Sequence, residues 1–311
     1  MANRIKEKYM AGKRYFDYPM LFLVIFLICF GLVMIYSTSS YKSTVTYGNS
    51  YHWLLRQAVA IVLGAVAMVV CCKLDYRIIK SEKFGNGCYW ASIVLLVLVL
   101  IIGAAKKGAV RWISIAGFQF QPSEVSKILV VIYLANRLSA NAHKIRTFKD
   151  SIVIVLPTVP IIALIVTQNL STALVVCAMI GVMLFVVSPK MKELIFTAGG
   201  GILLLFVYLL TANSYRNERV QIWLHPESHK KGFQTMQALY AIGSGGVFGK
   251  GLGQSMQKMG FIPESHNDMI FSIICEELGL FGAVCLILVF VALIFRMLLI
   301  ALNTEDLFGS L

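Results

Sequence analysis

Asp268, Glu276 and Glu277 stand at the start of an apolar run in a chain that uses acids sparingly, with 15 Asp and Glu against 28 Lys and Arg. They close the stretch GSGGVFGKGLGQSMQKMGFIPESHNDMIFSIICEELGL, residues 243–280, which begins as a glycine-rich, lysine-bearing loop. An ionised carboxylate near hydrocarbon costs roughly 2.5–3.5 kcal/mol at a helix centre on insertion scales, so such a group faces a cavity or a partner. Two readings are open for Asp268. It suits an N-terminal helix cap, where acids are favoured, and it suits a general base, which partial desolvation tunes toward neutral pH. His266 has the same two options, solvated loop residue or base. Glu276 and Glu277 lie about two helical turns deeper and read as structural partners of a Lys or Arg on another helix.

The glycines at 243, 245, 246, 249, 251 and 253 let the backbone approach a neighbouring helix or a ligand closely. Tight packing is the plainer reading; the sharper one brings loop N–H groups and Lys250 to an anionic headgroup. No strand precedes these glycines, which argues against a dinucleotide site. A second pair of charges, Glu124 and Lys127, is spaced i,i+3 on one predicted helix, where the two can interact. They either neutralise each other for insertion or line a polar cavity. Arg111, Lys127, Arg216, Arg219, Lys250 and Lys258 fall on the same predicted side as Asp268. Arg forks and Lys point charges suit a diphosphate. Each alone is met by solvent or headgroups; convergence beside Asp268 would make a site.

The elements that must position these groups are membrane helices. Of the 311 residues 58% are hydrophobic and 14% charged, against about a quarter charged in typical soluble domains. The net charge of +13 would suggest nucleic acid in a soluble protein. Here the basic residues cluster between apolar runs, the pattern that orients membrane helices, and no nucleic-acid partner is expected. Seven cysteines without a CxxC pattern argue against a zinc site or disulfide framework. The first apolar run lacks a small-residue cleavage site and is read as a retained span.

Spans are predicted at about Pro19 to Tyr36, Ala58 to Cys72, Tyr89 to Ala105, Pro122 to Leu138, Ile152 to Val166, Thr172 to Val187, Leu194 to Ala212 and Met269 to Ile294, each near the length that crosses about 30 Å of hydrocarbon. KKGAVRWISIAGFQFQPSE is read as a short loop before the fourth span, and Thr167-Gln168-Asn169 as the turn of a hairpin between the fifth and sixth. Basic short loops place the N-terminus inside the cell and residues 213–267 outside it, with part of that segment lying at the membrane surface as short amphipathic helices. The expected fold class is all-α, a polytopic helical bundle forming one membrane domain over 1–311 with an extracytoplasmic loop at 213–267.

SGGVFGKGLGQSMQKMGFIPESHNDMIFSIICEELGLFG resembles the signature loop and following helix of the SEDS family (shape, elongation, division and sporulation), whose members include FtsW, RodA and SpoVE. FDYPMLFLVIFLICFGLVMIYS, Arg56-Gln57, GAVRWISIAGFQFQPSEVSK and YRNERVQIWLHPESHKKGFQTMQAL agree in order, so the resemblance covers nearly the whole chain, and it looks nearer FtsW and SpoVE than RodA. The resemblance implies a peptidoglycan glycosyltransferase, serving cell division or cell shape, that polymerises lipid II at the outer face of the bacterial cytoplasmic membrane. Asp268 occupies the family's catalytic aspartate position. Glu124, Lys127, Arg111, Lys250, Lys258 and Glu264 match positions around its cavity. A divalent cation, magnesium or manganese, would bridge diphosphate and carboxylate, with its ligands left unassigned. A class B penicillin-binding protein and cell-division or elongation proteins are the implied partners. The same intramembrane charges would also serve a lipid-linked precursor flippase or other transporter, or a noncatalytic scaffold for a partner synthase.

Two departures stand out. QNLSTA replaces the family's PDLGTA, so no role of that acid carries over to Asn169. The chain also stops at EDLFGSL, before a PxTGxxLPFxSYGGSS-like segment and after eight spans where the family usually has ten, so the C-terminal spans are expected to be missing.

Overall fold

The computed structural model describes residues 16–106, 109–115, 118–145, 147–187, 221–229 and 232–311. The chain divides into two compact units, Met1–Cys71 with Ala212–Ile300, and Cys72–Thr211 with Ala301–Leu311.

In the first unit, α1 runs Tyr18–Tyr47. Asp17 caps it by accepting from Met20 N at 2.8 Å, Pro19 fits its first turn, and Gly48 closes it at φ 68°. The expected span stopped at Tyr36, yet the helix continues through STSSYKSTVTY. The reason is that helix carbonyls accept from some of these hydroxyls and packing buries others. Thr38 donates to Met34 O at 2.8 Å and Thr44 to Ser40 O at 2.9 Å, while Ser37, Thr38, Ser39 and Ser43 are buried. Thirty residues extend about 45 Å, so the polar end reaches past about 30 Å of hydrocarbon. α2, His52–Lys73, has no buried residue, leaving its apolar surface to lipid or a partner.

The glycine-rich loop follows α8, Phe233–Ser244, and docks on α9, Ile270–Asn303, which breaks at Gly279 (φ 68°, ψ −171°). A break leaves carbonyls and N–H groups without helical partners, and in a membrane helix these must be met by other protein groups. The loop meets them: Lys250 N and Gly251 N donate to Glu276 O and Glu277 O, each at 2.9 Å, and Leu280 N and Phe281 N donate to Gly246 O and Val247 O at 2.9 and 3.0 Å. Only glycine permits this approach, because a Cβ on Gly279 would lie 2.3 Å from Gly249 N, and one on Gly249 would lie 2.2 Å from Glu277 O. Close packing, the plainer reading of the loop glycines, is adopted at Gly245 and Gly249, around a helix break that apolar periodicity did not reveal. Gly279→Ala is expected to lower stability by about 1–3 kcal/mol from backbone strain alone. Gly243→Ala, with open space around it, should be close to neutral; thermal unfolding in detergent distinguishes the two.

In the second unit Ser81 caps α3, Glu82–Ile102. The stretch expected as a loop forms three short antiparallel strands, β1 Ala104–Lys106, β2 Ala109–Ile115 and β3 Phe118–Phe120, in the order β1-β2-β3 with Ile113 opposite Phe120. Its β-branched and aromatic residues favour paired strands. α4 spans Pro122–Asn141. α5, Phe148–Val155, joins α6, Val159–Gln168, through a 3-10 turn at Leu156–Thr158 where Pro157 interrupts the α-helical pattern. α7, Leu170–Val187, turns back at Asn169, as expected of a hairpin there, and a short α10 covers Leu307–Ser310. Leu96, Leu134, Leu138, Ile161, Ile165 and Val176 form the core.

Among the described residues six helices are long and apolar enough to cross a membrane: Tyr18–Tyr47, His52–Lys73, Glu82–Ile102, Lys149–Gln168, Leu170–Val187 and Ile270–Asn303. The predicted fourth span is the more polar α4, which carries Glu124, Lys127 and Arg137. The predicted seventh span, the N-terminal basic segment, Arg216 and Arg219 lie outside the described residues.

Candidate functional site

The loop that presents Asp268 is tied to the polar end of α1. Ser265 Oγ donates to Thr38 O at 3.3 Å and Lys42 Nζ to Pro263 O at 2.6 Å, while Asn267 N and Met269 N both bond Glu264 O. These contacts explain why α1 outlasts its apolar run. Asp268 lies in the turn before α9, exposed. The helix begins at Ile270, two residues after Asp268.

His266 is half-buried, its ring centroid 4.8 Å from that of Trp53, which corrects the reading of a merely solvated loop histidine. Burial and, next, Lys42 push its imidazole below the ordinary value, with Glu264 and Asp268 pulling the other way. The folded protein therefore binds this proton less readily than the unfolded chain. That contribution to stability is fully present above the ordinary histidine value of about 6.5 and is lost as pH falls toward the depressed one. His266→Gln is expected to flatten the fall in thermal stability below about pH 6.5, measured by melting curves across pH.

Behind this loop lie two ion pairs. Lys258 Nζ sits 2.7 Å from Glu277 Oε1, with side chains 5% and 0% exposed. Ser37 Oγ donates to Glu277 at 2.7 and 2.8 Å and accepts from Lys258 at 3.1 Å. Lys250 Nζ lies 2.7 Å from Glu276 Oε1, and the same carboxylate takes a short hydrogen bond from Ser255 and one from Met256 N at 3.2 Å. Glu276 and Glu277 thus have the basic partners expected of them, from the loop rather than from another helix. Lys258, expected to face a diphosphate, is buried on Glu277. Lys250 keeps part of its surface open. Ser37 and Ser255 escaped the sequence reading; the only signal was a run of hydroxyls after an apolar span, which by itself suggests a loop.

Glu124 and Lys127 form the i,i+3 pair that their spacing allowed, at 2.8 Å, near the start of α4. Arg111 lies on β2. These three belong to the second unit, whereas Lys250, Lys258, Glu264 and Asp268 belong to the first. Among the described residues no group of three or more His, Cys, Asp or Glu side chains is placed to hold a metal ion.

A bundle of apolar helices carrying an exposed carboxylate beside buried Lys–Glu pairs defines a multi-pass membrane protein with a polar site at the end of its spans. The sequence pattern described as "Cell cycle protein", covering FtsW, RodA and SpoVE, matches residues 18–311. A probable peptidoglycan glycosyltransferase FtsW of Geobacter metallireducens is 36% identical over 302 residues, covering 94% of this chain and 79% of that protein. The stage V sporulation protein E of Bacillus subtilis is 35% identical, covering 94% and 81%. A solved structure described as "Structural coordination of polymerization and crosslinking by a peptidoglycan synthase complex" superposes with a TM-score of 0.75 at 27% identity, covering 96% of this chain and 83% of that one. The rod shape determining protein RodA of Thermus thermophilus gives 0.67 at 26%, covering 96% and 79%. The chain belongs to the FtsW/RodA/SpoVE family.

Proposed function

We propose that this chain is a peptidoglycan glycosyltransferase that polymerises lipid II at the outer face of the cytoplasmic membrane, its N-terminus in the cytoplasm. The observation that carries the reading is Asp268, exposed in a turn that α1 and α9 hold from both sides. In this reading Asp268 accepts the proton of the acceptor sugar hydroxyl as that oxygen bonds to the anomeric carbon of the lipid-linked donor. The bond from that carbon to the diphosphate breaks, and undecaprenyl diphosphate leaves with the electron pair. General-base help of this kind contributes about 10²–10⁴-fold.

The basic groups divide into two roles. Lys250, partly open, would meet the diphosphate as a point charge, and Glu264 shapes the field around His266. Lys258 is a positioning residue, since its ammonium is already used by Glu277 and Ser37. Arg111 and the Glu124–Lys127 pair are assigned to the substrate cavity by their match to the family pattern. A class B penicillin-binding protein that crosslinks the strands is the proposed partner, supported by the likeness to a synthase complex that couples polymerisation to crosslinking.

The deciding experiment supplies purified lipid II to the purified chain, with and without the partner, and resolves products by gel. Glycan polymer supports the enzyme. Movement of lipid II between leaflets of proteoliposomes without polymer would replace this reading by a transporter.

A further inference from the structure

The start of α3 and the end of α4 enclose a polar cleft of about 170 Å³, lined by Glu82, Asn86, Tyr133, Asn136, Arg137 and Asn141 among others. That is room for about six waters at roughly 30 Å³ each, too small for a folded peptide and large enough for a small polar headgroup. Asn136 is 5% exposed. Its Nδ2 donates to Ile79 O at 2.8 Å and to Ile132 O at 3.1 Å, which fixes the amide, because the flipped form would set oxygen against two carbonyls. Its Oδ1 is left buried without a partner among the described residues, as is Arg137 Nε. Gly85 lets Asn136 sit so deeply, since a Cβ there would lie 3.0 Å from the amide.

A buried acceptor without a donor is costly, and such atoms call for a ligand or an ordered water. The cleft offers this acceptor, the Arg137 guanidinium held over the Tyr133 ring at 5.8 Å, and the exposed carboxylate of Glu82. An inorganic anion would gain Arg137 but face Glu82, and a simple cation the reverse. A group carrying a phosphate and a primary ammonium satisfies both and donates N–H to Asn136. In sequence the two helix ends lie near Arg77, Lys80, Lys83 and Lys144, a clustering of basic residues of the kind that accompanies the headgroup level.

We propose that this cleft binds the phosphoethanolamine headgroup of a membrane phospholipid, with the phosphate on Arg137 and the ammonium between Glu82 and Asn136 Oδ1. The site is separate from the Asp268 chemistry. Native mass spectrometry of the full chain with phosphatidylethanolamine, phosphatidylcholine and phosphatidylglycerol of matched acyl chains tests it. Phosphatidylethanolamine should be retained about tenfold better than either of the others, a difference worth about 1.4 kcal/mol. Arg137→Gln should lower that retention for phosphatidylethanolamine and phosphatidylglycerol alike. Glu82→Gln, an exposed and structurally mild change, should erase only the preference for phosphatidylethanolamine, with polymerisation and melting temperature kept in both variants. Equal retention of the three lipids, or a preference unchanged in Glu82→Gln, would overturn the proposal. So would binding of soluble phosphoethanolamine with no retention of the lipid, which would assign the cleft to a free metabolite.

Discussion

Asp268→Asn is expected to lower glycan polymerisation by about 10²–10⁴-fold while leaving the melting temperature where it is. The rate effect follows because amide nitrogen and oxygen accept no proton from a sugar hydroxyl at neutral pH, while the side chain keeps its size and its place in the turn before α9. The stability expectation follows from exposure. Asp268 is solvent-facing and two residues ahead of Ile270, and surface substitutions of this sort stay within about 0.5 kcal/mol. Lipid II binding should persist, so the loss belongs to the chemical step. Full polymerisation by the mutant would remove Asp268 from the mechanism and direct attention to Glu264, four residues earlier on the same loop.

Glu277→Ala should cost about 3–5 kcal/mol of stability, the range for removing one partner of a buried ion pair. Lys258, 5% exposed, would be left in a site where Ser37 Oγ offers a single oxygen. The double change Glu277→Leu with Lys258→Met removes both charges and should recover most of the loss, since well-packed apolar residues replace buried pairs at little cost. Chemical unfolding in detergent reads both effects. If the single mutant proves as stable as the parent, the pair does not anchor α9 to α1. A second readout follows from the geometry: because Ser37 belongs to α1 and Lys258 to the loop leading to Asp268, the double mutant is expected to be stable yet to polymerise more slowly through a less well-positioned Asp268.

The contrast between these two residues shows which parts of the molecule a linear reading reaches. Asp268 is visible in sequence because an acid at the edge of an apolar run is unusual whatever surrounds it. The same holds for Glu276 and Glu277, whose need for basic partners follows from the cost of their burial. Which lysine each would take did not follow, and Lys258 was read as a diphosphate ligand. Only the folding of the glycine loop over α9 brings Lys258 onto Glu277 and Lys250 onto Glu276. Similarly, the loss of apolarity at Ser37 marks the end of the hydrocarbon crossing but not the end of α1, because hydroxyls buried against a distant loop continue the helix.

Sequence by itself therefore determined what depends on composition and on near neighbours: a polytopic helical membrane protein, the hairpin at Asn169, the Glu124–Lys127 pair one turn apart, and an acid at position 268 that needs a purpose. Tertiary structure alone decided the break at Gly279, the small sheet after α3 and the hydrogen bond between Ser37 and Glu277, which joins residues 240 apart in the chain. The physical reason is the range of the interactions. Helix periodicity and i,i+3 pairing are written within a few residues, whereas a buried charge takes whichever partner the packed backbone delivers.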